Sequence, residues 1–236
     1  EEKYLGKRGI KAEFTGHPLA DTAKLFPSKE KARKTLGLEA RATVVGILPG
    51  SRSQELKRLL PPLAGAVRQI RASVPGVEFV LSHAHGADAK PLLRFLAESD
   101  GKGMIGCADH RDVIAASDVV IAKSGTVTLE AALAGAPMVI AYKVSPVSYA
   151  IMKRIAKIRH IGLPNIIARK SIVPELVQND ASAENIAKEC VRLLKNSGAK
   201  LKMASELLRV KKLIGGPGAS KRAAASVLKF IRKKRP

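Results

Sequence analysis

Along this chain, apolar residues gather in short continuous runs, separated by longer stretches in which apolar and charged positions recur at helical spacing. The runs are Val44-Val45-Gly46-Ile47-Leu48, Val77-Glu78-Phe79-Val80-Leu81, Met104-Ile105-Gly106, Val119 to Ala122 and Met138 to Tyr142. Such runs suit strands of a parallel sheet, which are covered on both faces. Between them lie helical stretches: Gln54 to Val74, where Pro61-Pro62 predicts a break or a new first turn, Lys90 to Glu98, and Asp112 to Ala116 as a brief crossover. Strand and helix alternating over five units predict an α/β fold with a Rossmann-like, doubly wound parallel sheet.

The flanks read differently. Lys11 to Asp21 is a short strand-like connection broken by Gly16 and Pro18, and Ser28 to Leu38 is a charged helix stopped by Gly37. After the last strand, Ser145 to His160 puts Val147, Ile151, Ile155 and Ile158 on one helical face, with Lys153, Arg154, Lys157 and Arg159 around the rest. Two readings fit that pattern: a core-facing amphipathic helix, or a surface that meets anionic lipid head groups. Extra C-terminal helices follow over Ser182 to Lys195, Lys200 to Leu213 and Ser220 to Lys233, the last two separated by Gly215-Gly216-Pro217-Gly218. The run Arg232-Lys233-Lys234-Arg235 reads as a solvated tail.

Candidate chemistry lies at the strand ends, because open α/β sheets bind ligands outside the carboxyl ends of their strands. Pro49-Gly50-Ser51-Arg52 ends the first run, and Ser124-Gly125-Thr126 ends the fourth and opens a helix. A helix start offers unpaired N–H donors and partial positive charge, which favour a phosphate or carboxylate. Glu130 sits one turn further on the same helical face, where its carboxylate is placed to accept from the two hydroxyls of a ribose. A phosphate seat and a diol acceptor one turn apart point to a nucleotide. Neither turn is the Gly-x-Gly-x-x-Gly fingerprint or a Walker loop, so their joint placement carries the argument.

Composition narrows the field. No apolar run approaches the ~18 to 20 residues of a transmembrane helix. The first residues, Glu1-Glu2-Lys3-Tyr4, have no initiator Met and read as the interior of a longer protein. Cys107 and Cys190 show no Cys-x-x-Cys spacing, so inert thiols of a reducing cytoplasm are expected rather than a metal site or disulfide framework. Among His17, His83, His85, His110 and His160, only His83 and His85 are close, and no carboxylate pattern accompanies them.

Charge is more telling: 42 basic against 20 acidic residues give +22. That excess attracts polyanions or forms a solvated face. With 3% aromatic residues and no Trp, the chain lacks stacking platforms for single-stranded nucleic acid, and it has no zinc-finger, RNP or Arg-rich recognition pattern. No specific nucleic-acid partner is therefore expected.

The ordered set Gly16-His17-Pro18-Leu19-Ala20-Asp21, Leu48-Pro49-Gly50-Ser51-Arg52, Ser124-Gly125-Thr126 with Glu130, Pro137-Met138-Val139, Leu163-Pro164-Asn165 and Pro174-Glu175-Leu176 resembles the lipid-A-disaccharide synthase family. The matches run in order from about Phe14 to Gln178, and the helical remainder fits by length and pattern. Similar enzymes are two-lobed glycosyltransferases of GT-B type whose C-terminal lobe holds the nucleotide sugar. The resemblance implies a hexosyltransferase of lipid A biosynthesis that joins UDP-2,3-diacylglucosamine to 2,3-diacylglucosamine 1-phosphate with inversion, giving the β-1,6 disaccharide and UDP.

On that resemblance, residues 1–27 are the interlobe connection and the remnant of a missing N-terminal lobe, 28–196 the UDP-sugar-binding domain, and 197–236 C-terminal helices and a basic tail. Arg52 and Asn165 are implied in catalysis, Arg52 at the diphosphate or acceptor phosphate and Asn165 at the donor or diphosphate. Gly50, Ser51, Ser124, Gly125, Thr126, Glu130, Met138 and Glu175 are implied in nucleotide binding, although a Met at a strand start also reads as core. No metal or other cofactor is implied, the UDP-sugar being a substrate. The general base belongs to the missing lobe, so this part binds UDP and stabilises the leaving group. Further implied partners are the acylated acceptor, an anionic inner-membrane surface met from the cytoplasm of a Gram-negative bacterium, and a second copy through the C-terminal helices. Other UDP-GlcNAc-using GT-B enzymes, nonhydrolysing epimerases and a basic nucleic-acid-binding module are the rival readings.

Overall fold

The computed structural model describes residues 2–83, 89–101, 104–107, 109–155 and 159–233. After α1 (Glu2–Gly6), α2 (Leu19–Thr22) and α3 (Lys29–Thr35), strand and helix alternate through β1 (Val44–Leu48), α4 (Ser53–Ser73), β2 (Glu78–Ser82), α5 (Ala89–Glu98), β3 (Met104–Cys107) and α6 (His110–Ala116). The second half contains β4 (Val119–Lys123), α7 (Thr126–Leu133), β5 (Met138–Tyr142), α8 (Pro146–Ile155), α9 (Leu163–Ala168) and β6 (Glu175–Val177). It closes with α10 (Ala183–Lys195), α11 (Ser197–Leu213) and α12 (Ala219–Lys233).

The strands form one sheet in the order β3-β2-β1-β4-β5-β6, and every pairing is parallel. This is the doubly wound order whose direction of progression reverses between β1 and β4, the place where such sheets leave a crevice. Leu48 pairs with Ala122, so the turns that follow β1 and β4 emerge side by side. All five residues of β1 are buried, as their continuous apolar run requires.

Several elements depart from the sequence expectation. Among the described residues there are six strands rather than five: β6 is only three residues long, half-buried at the sheet edge, and too short to show a hydrophobic period. Pro61 and Pro62 do not break α4, which runs through them as one 21-residue helix. Buried Leu56, Leu59 and Leu60 lie before the prolines and Leu63, Val67 and Ile70 after, so packing holds both halves on one axis despite the lost hydrogen bonds. Gly65 sits where α4 meets α10; a Cβ there would come 2.7 Å from the Ala183 Cβ, so glycine permits this close approach.

The stretch from Lys11 to Asp21 is not a strand. It makes its bonds to the far end of the chain instead: the His17 N–H donates to Ile214 O at 2.9 Å and Arg222 Nε to Thr15 O at 2.9 Å. The Asp21 carboxylate accepts from the amides of Gly218, Ala219 and Ser220 and from the Ser220 hydroxyl, capping the start of α12. Gly218 N–H and its neighbours accordingly hold the Asp21 carboxyl below its ordinary range.

A second polar joint fixes α3. Asp118, just before β4, accepts from Lys29 Nζ at 2.6 Å, Arg33 at 3.1 Å and the Val44 amide at 2.9 Å. Burial alone would raise this carboxyl, but those donors outweigh it and the net shift is downward. Both cysteines are free, and burial pushes the Cys190 thiol up. Ile158, Lys157, His85, Lys234 and Arg235, each used in the sequence expectations, lie outside the described residues. On α8, Val147 is exposed, so the core-facing reading fails at that position. Among the described residues, no helix is long and apolar enough to cross a membrane.

Candidate functional site

The β1 turn is shaped by Gly50, whose φ of +94° lies in the region that favours glycine. Arg52 then stands at the start of α4, 79% exposed, with its guanidinium 3.4 Å from Glu55 Oε1. The β4 turn runs Lys123-Ser124-Gly125 into α7. Gly125 is in extended backbone, φ 162°, and Thr126 opens the helix. The amides of Thr126 and Val127, which open α7, have no acceptor within the helix and point outward from its start. The Thr128 amide and hydroxyl both return to Gly125 O, at 3.1 and 2.7 Å, tightening the turn.

The two turns meet, as their places in the sequence imply. A Cβ on Gly50 would lie 3.3 Å from Lys123 Cδ and 3.6 Å from Glu55 Oε2. Lys123 Nζ is 3.0 Å from Glu55 Oε2, so one carboxylate holds both Arg52 and Lys123. The Tyr142 ring, at the end of β5, lies 5.7 Å from the same ammonium. Burial raises the Tyr142 phenol, the Glu55 charge adds to that, and Arg52 opposes it. Lys123 and Glu55 did not figure in the sequence expectation. The rule that ligands gather at strand ends points to Lys123, the last residue of β4, but nothing in the sequence shows that Glu55 reaches it.

Glu130 faces the same crevice one turn along α7, and its Oε1 is 3.0 Å from His110 Nε2. The hydrogen bond to Glu130 raises the pKa of His110; burial opposes the shift, and the charges of Glu130 and Asp109 reinforce it. His110 is the first residue of α6, placed there by the Asp109 N-cap, which accepts from the Arg111 amide at 2.9 Å. It was also missed, because the crossover helix was expected to begin at Asp112.

Three expected contact residues have other tasks. Asn165 is fully buried. Its Nδ2 donates to Val173 O at 2.8 Å and Glu175 Oε1 at 2.7 Å, while Oδ1 accepts from the amides of Ile172 and Val173. Its hydrogen-bonding capacity is thus spent inside the fold. Glu175 in turn accepts from the amides of Ile161 at 2.8 Å and Gly162 at 3.0 Å. Ser124 Oγ donates to Ile161 O at 3.0 Å, so Asn165 and Glu175 shape the segment against which the β4 turn is tied. Both side chains are thus engaged inside the fold, and the Ser124 hydroxyl is turned to Ile161 O, which leaves the backbone amides as the outward donors of that turn. Met138 is likewise fully buried, with its amide 3.2 Å from the sulfur of Met203, and belongs to the core. Ser51 and Thr126 are exposed at the mouth of the crevice.

The arrangement offers two adjacent turns, a helix start, two cations on a shared carboxylate, and a Glu–His pair one turn away. It suits an anionic group at the turns and a hydroxylated group near Glu130.

Comparison with known proteins agrees with this geometry. The chain matches the model of the family described as lipid-A-disaccharide synthetase over residues 1–229. It is 42% identical over 234 residues to the lipid-A-disaccharide synthase of Anaeromyxobacter dehalogenans, covering 98% of this chain and 61% of that protein. The corresponding protein of Geobacter metallireducens is 39% identical over 235 residues, covering 100% and 61%. The chain thus spans about 60% of the length of these curated relatives.

Among solved structures, the fold resembles S. aureus MnaA in its co-structure with UDP, with a TM-score of 0.69 at 12% identity, covering 100% of this chain and 60% of that one. UDP-GlcNAc 2-epimerase from Neisseria meningitidis bound to UDP-GlcNAc gives 0.68 at 16% identity, covering 97% and 59%. WaaG, a glycosyltransferase involved in lipopolysaccharide biosynthesis, gives 0.60 at 15%, covering 88% and 53%. These likenesses show the fold alone, that of a GT-B lobe, whereas the sequence matches reach further. On them, the chain belongs to the lipid-A-disaccharide synthetase family.

Proposed function

We propose that this chain is the nucleotide-binding part of a glycosyltransferase of lipid A biosynthesis, which joins UDP-2,3-diacylglucosamine to 2,3-diacylglucosamine 1-phosphate and releases UDP. The observation that carries the reading is the meeting of the 49–52 and 124–126 turns between β1 and β4, with Glu130 one helical turn beyond. The diphosphate lies against the amides that open α7, Arg52 closes over it from the rim, and Glu130 accepts from the ribose hydroxyls. As the bond from the sugar anomeric carbon to the diphosphate oxygen breaks, negative charge grows on UDP, and donors already oriented there lower the barrier. The acceptor hydroxyl attacks from the opposite face with inversion, and its proton passes to a base outside this chain. The reading assigns no metal or other cofactor; fixed amides and side-chain cations meet the charge.

The +22 charge supports apposition to an anionic membrane surface, with the acylated substrates drawn from it. Exposed Val227, Leu228 and Ile231 on α12 support a second copy of the chain as a further partner.

Calorimetric titration of the folded chain with UDP is the test. Binding is expected, and Arg52→Ala weakens it about ten- to a hundredfold, as for loss of a charged hydrogen bond. No heat at millimolar UDP overturns the assignment. In a full-length protein, turnover of plain UDP-GlcNAc as well as the diacylated donor overturns the substrate.

A further inference from the structure

Arg52 is a rim residue, mostly in water, so its pair with Glu55 is screened and adds little to the fold. Lys123 differs. Its side chain is 13% exposed, its ammonium is braced by Glu55 at 3.0 Å, and it stands beneath both turns at once. A Cβ on Gly125 would lie 3.6 Å from Nζ, so the ammonium faces the start of α7 across the absent side chain of that glycine. The φ of 162° at Gly125 is open to any residue, so backbone strain does not account for glycine at that position. What glycine leaves there is an uncovered path between the ammonium and whatever rests on the amides of the turn.

We infer that Lys123 is the half-buried cation of the site: it contacts the phosphates of a nucleoside diphosphate seated on the 124–126 turn, and Glu55 positions it for that contact. The inference rests on the UDP-site reading and adds to it the residue that separates charged from uncharged nucleosides. A half-buried charge beside low-dielectric walls acts more strongly on a phosphate than a rim charge does.

The experiment compares UDP and uridine affinities, by calorimetry, for the wild-type chain, Lys123→Met, Lys123→Arg and the doubly substituted Lys123→Met/Glu55→Gln. Methionine keeps the stem and removes the charge. The double substitution removes both charges together, leaving no half-buried carboxylate without its partner to unfold the chain. Lys123→Met and the double variant are expected to lose about ten- to a hundredfold of UDP affinity with uridine affinity unchanged, while Lys123→Arg keeps most of the preference. A full UDP-over-uridine preference in both variants that lack the Lys123 charge overturns the assignment of Lys123 and leaves the UDP site standing. Equal losses for UDP and uridine also overturn it, because they mark a structural role. Absence of UDP binding by the folded wild-type chain instead overturns the site reading itself.

Discussion

Single residues here act through the pairings they enter. Glu130 is readable in the sequence as an acceptor one turn beyond an anion seat, but its partner is His110, whose protonation the pairing favours. The folded pKa of His110 is raised above its ordinary value of about 6.5, first by the hydrogen bond to Glu130. A raised histidine contributes stability in full below its unfolded pKa and loses it as pH rises through the folded value. Asp109 adds to this shift, while Arg111 and burial oppose it. Thermal unfolding followed from pH 6 upward is therefore expected to show the wild-type midpoint declining more steeply than that of His110→Gln. Parallel pH profiles for the two proteins exclude the pairing. The histidine could be seen in the sequence; its contact with a glutamate 20 residues away could not, since the pair is made by adjacent placement of α6 and α7.

At the scale of elements, strand runs and turn residues made the sheet and its binding edge legible, while short or interrupted elements escaped. β6 has three residues and no visible period, yet it carries Glu175, which with Asn165 orders the 161–162 turn. The family resemblance implied Asn165 as a ligand contact; burial and saturation of its amide place it in the joint between α9 and β6. Asn165→Ala leaves two backbone amides and two acceptors to find other partners, and is expected to cost about 2–4 kcal/mol in urea unfolding. Unchanged stability with a loss confined to UDP affinity would return Asn165 to direct contact. The uninterrupted α4 teaches the converse lesson: local proline chemistry predicted a break, and burial along the whole helix overrode it.

Across the whole molecule, the two ends of the chain are tied. The Lys11-to-Asp21 stretch reads in sequence as an entrance to the domain, but Asp21 caps α12 almost 200 residues later, and Arg222 reaches back to Thr15, Gly216 and Pro217. Asp21→Ala is expected to speed amide hydrogen exchange across α12 while α10, buried against α4, keeps its protection. Equal exchange in the two proteins would show that the cap does not hold the helix.

The sequence by itself determined the α/β class, the succession of the main strands along the chain, the two turns that end β1 and β4 and the resemblance to a glycosyltransferase family, because each rests on local period, turn chemistry or motif order. Only the tertiary structure decided that Glu55 joins Lys123 to Arg52, that His110 meets Glu130, that Asn165 and Met138 are internal, and that Asp21 closes the chain's ends. Those are contacts between side chains brought together by strand order and helix packing, and no local pattern in a chain encodes the distance between two residues that only folding makes neighbours.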